Sequence, residues 1–197
     1  MDNNISNAIA RQFGFDSYAK ILELCRDESL DLSTDIDGFQ KLFNGYYRIR
    51  RNEEWLKEYY NYFESIKNNT DIDFNTIIDE LYQRTNGNVE ASFASKMLAT
   101  ICPNMPILDS QVLANLDLEI KGYKEKKLEN AKAVYQQICQ RYKDFQKTEN
   151  CKKAVQVFDG LFPNYTDLTT TKKVDFFLWA LKPNELRNME MFKELMK

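Results

Sequence analysis

The sequence predicts an all-α protein, and three observations lead there. Apolar residues recur at alternating steps of three and four along most of the chain, the spacing that lines one face of a helix. The chain has 6 glycines and 4 prolines in 197 residues, about 5% where about 12% is usual, so the turns that a sandwich or barrel needs are missing. An apolar share of 43% is ample for a core, which removes disordered and collagen-like readings. About eight to ten helices are expected, in one compact domain over 1–197 with room for two lobes.

Asp16 is the expected N-cap of a first helix carrying Tyr18, Ile21, Leu22, Leu24 and Cys25, which ends in the acidic stretch from Asp27 to Asp31. Asp35 or Asp37 opens FQKLFNGYYRIRRNEEWLKEYYNYFESIK, a core segment rich in aromatic residues, with Gly45 as the candidate interruption. Asn68, Asn69 and Thr70 end it. Asp73 then starts a shorter helix with Phe74, Ile77, Ile78, Leu81 and Tyr82 on its apolar face.

Asn86-Gly87-Asn88 is a turn suited to positive φ, and VEASFASKMLATIC follows as a helix of small residues stopped by Pro103. Ala91, Ala94, Ser95 and Ala99 would let another backbone approach closely. PNMPIL is a short link, and Asp109 caps SQVLANL. Beyond Gly122, Leu128, Ala131, Tyr135, Ile138, Tyr142 and Phe145 mark a long amphipathic helix. Thr169 to Thr171 lead into KKVDFFLWAL, and Pro183 fits the first turn of a last helix.

Composition also excludes chemistry. Histidine is absent, so Ser-His-Asp triads, Cys-His pairs, His-ligated zinc and imidazole switches cannot be built. Cys25, Cys102, Cys139 and Cys151 lie 77, 37 and 12 residues apart, which leaves no C-x-x-C pair. No cofactor is expected. The first residues, MDNNISNAIARQF, lack the basic-then-apolar form of a signal peptide. No apolar run approaches the ~18 residues of a membrane span. The expectation is a soluble, reduced, cytoplasmic protein with no membrane partner.

Charge is uneven. The net value is −3, yet residues 121–153 carry ten bases and four acids. A local basic surface is compatible with phosphate binding on an acidic protein, although a solvated helix with ordinary lysines explains it as well.

Three constellations could carry chemistry. In residues 86–116 a turn, a helix, a proline-marked link and an Asp-capped helix follow one another. Asp109 there could position a water or steady a developing cation, or serve only as a cap. Lys96 could reach a phosphate or an acid, or snorkel from a core edge. In YYRIRRNEEW, a continuous helix would put Arg48, Arg51 and Trp55 on one face able to hold a phosphate or stack on a base, with Arg50 pairing to Glu53 and Glu54; internal ion pairing is the alternative. In KKVDFFLWAL, Val174, Phe177, Leu178 and Leu181 form a core stripe, and Asp175 with Trp179 could line a pocket for a base or sugar or simply pack.

The blocks YYRIRRNEEW, SFASKMLATICPNMPILDSQVLANL and KKVDFFLWAL, in this order, resemble an uncharacterised family of all-helical bacterial proteins. Residues 85–116 are also distantly similar to the hairpin of helix-hairpin-helix DNA glycosylases of the endonuclease III type. That resemblance implies a glycosylase-like fold, DNA as the partner and a catalytic role for Asp109. With the constellations above, the expected substrate contacts are Asn86, Gly87, Asn88, Lys96, Arg48, Arg51 and Trp179. Only Gly87 stands where that hairpin carries two glycines, and Glu90-Ala91-Ser92 occupies the region of the lyase lysine. A Schiff-base lyase is therefore disfavoured against a hydrolytic glycosylase. The alternative is a non-enzymatic helical protein-interaction module.

Overall fold

The computed structural model describes residues 14–196, and among them every regular element is helical. They form two compact units, 14–102 and 103–196, so the boundary falls inside the 86–116 stretch.

In the first unit, α1 (Phe15–Arg26) starts two residues earlier than expected: Gly14 is the N-cap and Asp16 lies in the first turn, where the helix dipole favours an acid. The acidic stretch that follows is a set of side-chain-closed turns. Asp27 accepts from the Ser29 amide and hydroxyl, and Asp31 does the same for Ser33. Lys67 closes this loop from outside. Its Nζ donates to the carbonyls of Asp27 (3.2 Å) and Leu30 and pairs with Glu64 at 3.1 Å.

Asp35 caps a π-helical turn, Ile36–Gln40, by accepting from the Phe39 amide at 2.7 Å. The turn runs into α2 (Lys41–Tyr47). The long helix expected from 35 onward is then broken, at Arg48 rather than at Gly45. Arg48 takes the left-handed conformation, φ 54° and ψ 41°, and the Ile49 amide donates back to Asn44 O at 2.9 Å, which closes the helix in a Schellman turn. Asn52 caps α3 (Glu53–Ile66) by accepting from the Trp55 amide.

Phe39, Phe43, Tyr59 and Phe63 meet between these helices and are fully buried. Ring centroids lie 5.4 Å apart for Phe39–Phe43 and 5.6 Å for Phe43–Phe63, the second pair edge to face. α4 (Phe74–Arg84) has the expected Asp73 cap. The turn after it uses positive φ at both Asn86 (55°) and Gly87 (78°) and leads to α5 (Ala91–Ile101), whose small residues Ala94, Ser95 and Ala99 are buried.

In the second unit, α6 (Ser110–Asn115) is followed by α7 (Glu125–Phe145), and all six residues of the expected α7 stripe are buried. α8 (Glu149–Leu161) begins at a Thr148 cap, and a 3-10 turn, Pro163–Tyr165, leads on to α9 (Thr170–Ala180). α10 (Pro183–Arg187) takes Pro183 in its first turn, and a 3-10 turn, Glu190–Phe192, ends the described chain. No helix among the described residues is long and apolar enough to cross a membrane. All four cysteines are free thiols.

Candidate functional site

Asp109 sits where the sequence places it, at the N-cap of α6. Its Oδ1 accepts from the amides of Gln111 (3.0 Å) and Val112 (2.9 Å). The carboxylate is half-buried and held in one orientation. Further along α6, Asn115 Nδ2 donates to Leu178 O (2.5 Å) and Leu181 O (3.1 Å), and Gln111 Nε2 donates to Leu181 O (3.0 Å). Those carbonyls close α9, where the helix leaves its acceptors without intrahelical partners. α6 is thereby tied to the end of α9, and Asp109 with it.

α9 is buried on nearly every side from Thr171 to Leu178, three charged residues included. Each has a compensating environment, as a buried charge must. Lys173 pairs with Asp159 at 2.6 Å and donates to Thr166 O. The ammonium of Lys172 lies 4.3 Å from the Trp179 ring centroid and 5.2 Å from that of Phe176. Asp175 is 0% exposed and accepts from the Tyr142 hydroxyl of α7 at 2.7 Å. Burial pushes the Asp175 carboxyl up to about 7, with the Asp109 carboxylate adding to the rise and Lys172 and Tyr142 opposing it. The Tyr142 hydroxyl is likewise raised well above its usual range, chiefly by burial. Asp109, Asp175, Tyr142, Lys172 and Trp179 are thus one electrostatically connected group of the second unit. Trp179 stands beside a lysine, and Asp175 is a core acid rather than a surface one.

The other candidates belong to the first unit. Arg48 and Arg51 do not share a helical face with Trp55, because the backbone from Arg48 to Asn52 is not helical. Arg48 is exposed at the left-handed helix end. Arg51, 40% exposed, pairs at 2.8 Å with Glu90, and its guanidinium lies 5.2 Å from the Trp55 ring and 5.0 Å from Phe93. Glu90 also accepts from Trp55 Nε1 at 3.0 Å, so Arg51 and Trp55 anchor the residue that precedes α5. Arg50 is exposed.

Lys96 is 7% exposed; its Nζ donates to Ser92 Oγ at 2.6 Å and lies 5.5 Å from the Phe93 ring. It is a core lysine. At the turn, the Gly87 amide donates to Tyr82 O and Asn88 Nδ2 to Thr85 O, while Asn86 and Asn88 remain exposed.

The basic segment is less uniform than its charge suggests. Lys132, Lys147 and Lys152 pair with Glu129, Asp144 and Glu149 three residues before them, and Arg141 donates to Leu116 O at 2.7 Å. Sequence reasoning missed Glu90, Tyr142, Asn115 and Lys172. Asn115 and Tyr142 fall on periodic helix faces, where a polar atom is invisible to an apolar pattern. No group of three or more metal-ligating side chains occurs among the described residues. Comparison with family models, with curated proteins and with solved structures finds no match for this chain.

Proposed function

We propose that this chain is a DNA-binding protein of helix-hairpin-helix glycosylase-like design, in which Asp109 is the carboxylate of a base–sugar hydrolysis. The observation that carries this reading is the Asp109 geometry: two backbone amides hold Oδ1, so the carboxylate is oriented by neutral donors. Such a group can position a water and steady the positive charge that develops on a sugar as its base departs. The positive-φ turn at Asn86 and Gly87, with exposed asparagines on either side of the glycine, suits contact with a phosphate backbone.

The test is base release from a panel of modified-base oligonucleotides by the parent protein and by Asp109→Asn. The expected result is release by the parent and none by the variant, at equal melting temperature. Full release by the Asn variant would refute the assignment.

A second reading, a non-enzymatic interaction module, draws on the internal use of Arg51, which pairs with Glu90, and of the buried Lys96, which donates to Ser92. Absence of base release from every lesion by the parent protein favours it.

A further inference from the structure

Residues 117–124, between α6 and α7, hold three positive-φ positions: Asp117 (53°), Gly122 (101°) and Lys124 (49°). Lys124 combines that φ with ψ −125°, outside the left-handed helical region and costly for any residue with a side chain. Gly122 is required twice over. Its φ suits glycine, and a Cβ there would stand 3.1 Å from the Lys127 amide nitrogen and 3.2 Å from the Lys126 carbonyl carbon, so the chain presses against the first turn of α7. One residue earlier, the Lys121 amide donates to Asn130 Oδ1 at 2.5 Å. The loop is pinned just before Tyr123 and strained just after it.

Tyr123, held between those points, is 76% exposed. The Lys124 ammonium lies 5.5 Å from its ring centroid, and Lys126 and Lys127 follow in the first turn of α7. Lys124, Lys126 and Lys127 form no ion pair among the described residues, unlike Lys132, Lys147 and Lys152 on the same stretch of chain. α7 has no side-chain cap, so the positive end of a 21-residue helix adds to the same potential, offset in part by Glu125 in its first turn.

We propose that Tyr123 is a stacking platform for an unpaired nucleobase, with Lys124, Lys126 and Lys127 neutralising the phosphates on either side of it. The chemistry favours a nucleic-acid strand over a protein partner. Among the described residues Tyr123 and Ile36 are the exposed large hydrophobics, and Ile36 lies in the first unit, so the second unit offers no exposed apolar cluster there of the kind that forms a protein–protein interface core. An exposed aromatic interleaved with cations is what single-stranded nucleic acid requires, because every base has a π face and every linkage a charge. The inference rests on the DNA-binding reading above but not on hydrolysis at Asp109.

The test uses the full chain and fluorescence anisotropy with a labelled oligo-dT 20-mer and a duplex of the same length, at low and at physiological salt. The parent is expected to prefer the single strand. Tyr123→Ala should weaken that binding about tenfold, in line with the loss of one base–aromatic stack, while Tyr123→Trp retains it. Lys126→Glu with Lys127→Glu should weaken binding and flatten its salt dependence, whereas Lys152→Glu should change it little. Tyr123 is exposed, so its variants should melt with the parent.

Unchanged single-strand affinity in Tyr123→Ala overturns the stacking assignment. So does equal binding of poly-glutamate, which would make the patch an anion or acidic-peptide surface, and so does a lack of binding by the parent at low salt. Failure of the hydrolytic reading is separate, because Asp109→Asn is expected to keep full strand affinity whether or not the parent releases a base.

Discussion

The Tyr142 hydroxyl donates to the Asp175 carboxylate at 2.7 Å, and both side chains are sealed from solvent. An acid in that position is held by the Tyr142 hydroxyl, the Ile107 backbone and a nearby ammonium, and its charge state is a property of the fold. Burial moves its pKa from 3.8 to about 7, so the proton favours the folded chain. The stabilisation is fully present below about 3.8 and is lost as pH climbs through about 7. Thermal melts between pH 5 and 8 should therefore show falling stability in the parent and a flatter profile in Asp175→Asn, whose side chain still accepts from Tyr142. An identical slope in the two proteins would mean that Asp175 does not titrate in this range. The exposed Asp144 and Glu149, whose pKa values are lowered by Lys147 and Lys152, contribute equally to both and cancel in the comparison.

Glu90 receives Arg51 and the Trp55 indole together, and it is buried. Glu90→Ala leaves an indole N–H and a half-covered guanidinium without their acceptor, so a loss of about 2 kcal/mol is expected. Arg51→Ala should cost less than Glu90→Ala, because Trp55 still donates to Glu90. Urea titrations of the two variants decide the order.

Asp109 offers a cleaner contrast. Asparagine caps a helix about as well as aspartate, so Asp109→Asn should melt within a degree or two of the parent, whereas Asp109→Ala should lose about 1 kcal/mol. Equal stability of all three proteins would show that the two amide bonds to Oδ1 contribute nothing to the fold.

Lys67 stands in for a cation at the mouth of the 27–35 loop. Lys67→Met keeps the packing but releases the Asp27 and Leu30 carbonyls and Glu64, at an expected cost of about 2 kcal/mol. Faster amide exchange should follow over residues 27–34.

Periodicity made most of the helices legible, because a buried stripe such as Leu128 to Phe145 needs only regular apolar spacing. It hid the break at Arg48, where the apolar pattern runs on without interruption and the stop is made by a backbone conformation that arginine rarely adopts. The N-cap at Asn52, followed by two glutamates, was the available signal. The Asp109 cap was readable because capping is a local property of Asp before a helical run. The partners of Asp175 and Glu90 were not, because Tyr142 is 33 residues from the one and Trp55 is 35 residues from the other, and only tertiary packing brings them together.

The π-helical turn at Ile36–Gln40 couples two positions. A Cβ at residue 38 would lie 2.3 Å from Oδ2 and 2.7 Å from Oδ1 of Asp35, the carboxylate that holds the Phe39 amide. The constraint runs one way: a side chain at 38 evicts the carboxylate, whereas a shorter residue at 35 leaves Gly38 undisturbed. Among descendants of a common ancestor a side chain at 38 should therefore occur only where Asp35 has already been replaced, and a Gly38→Ala chain should become tolerable only after Asp35 has shortened to serine.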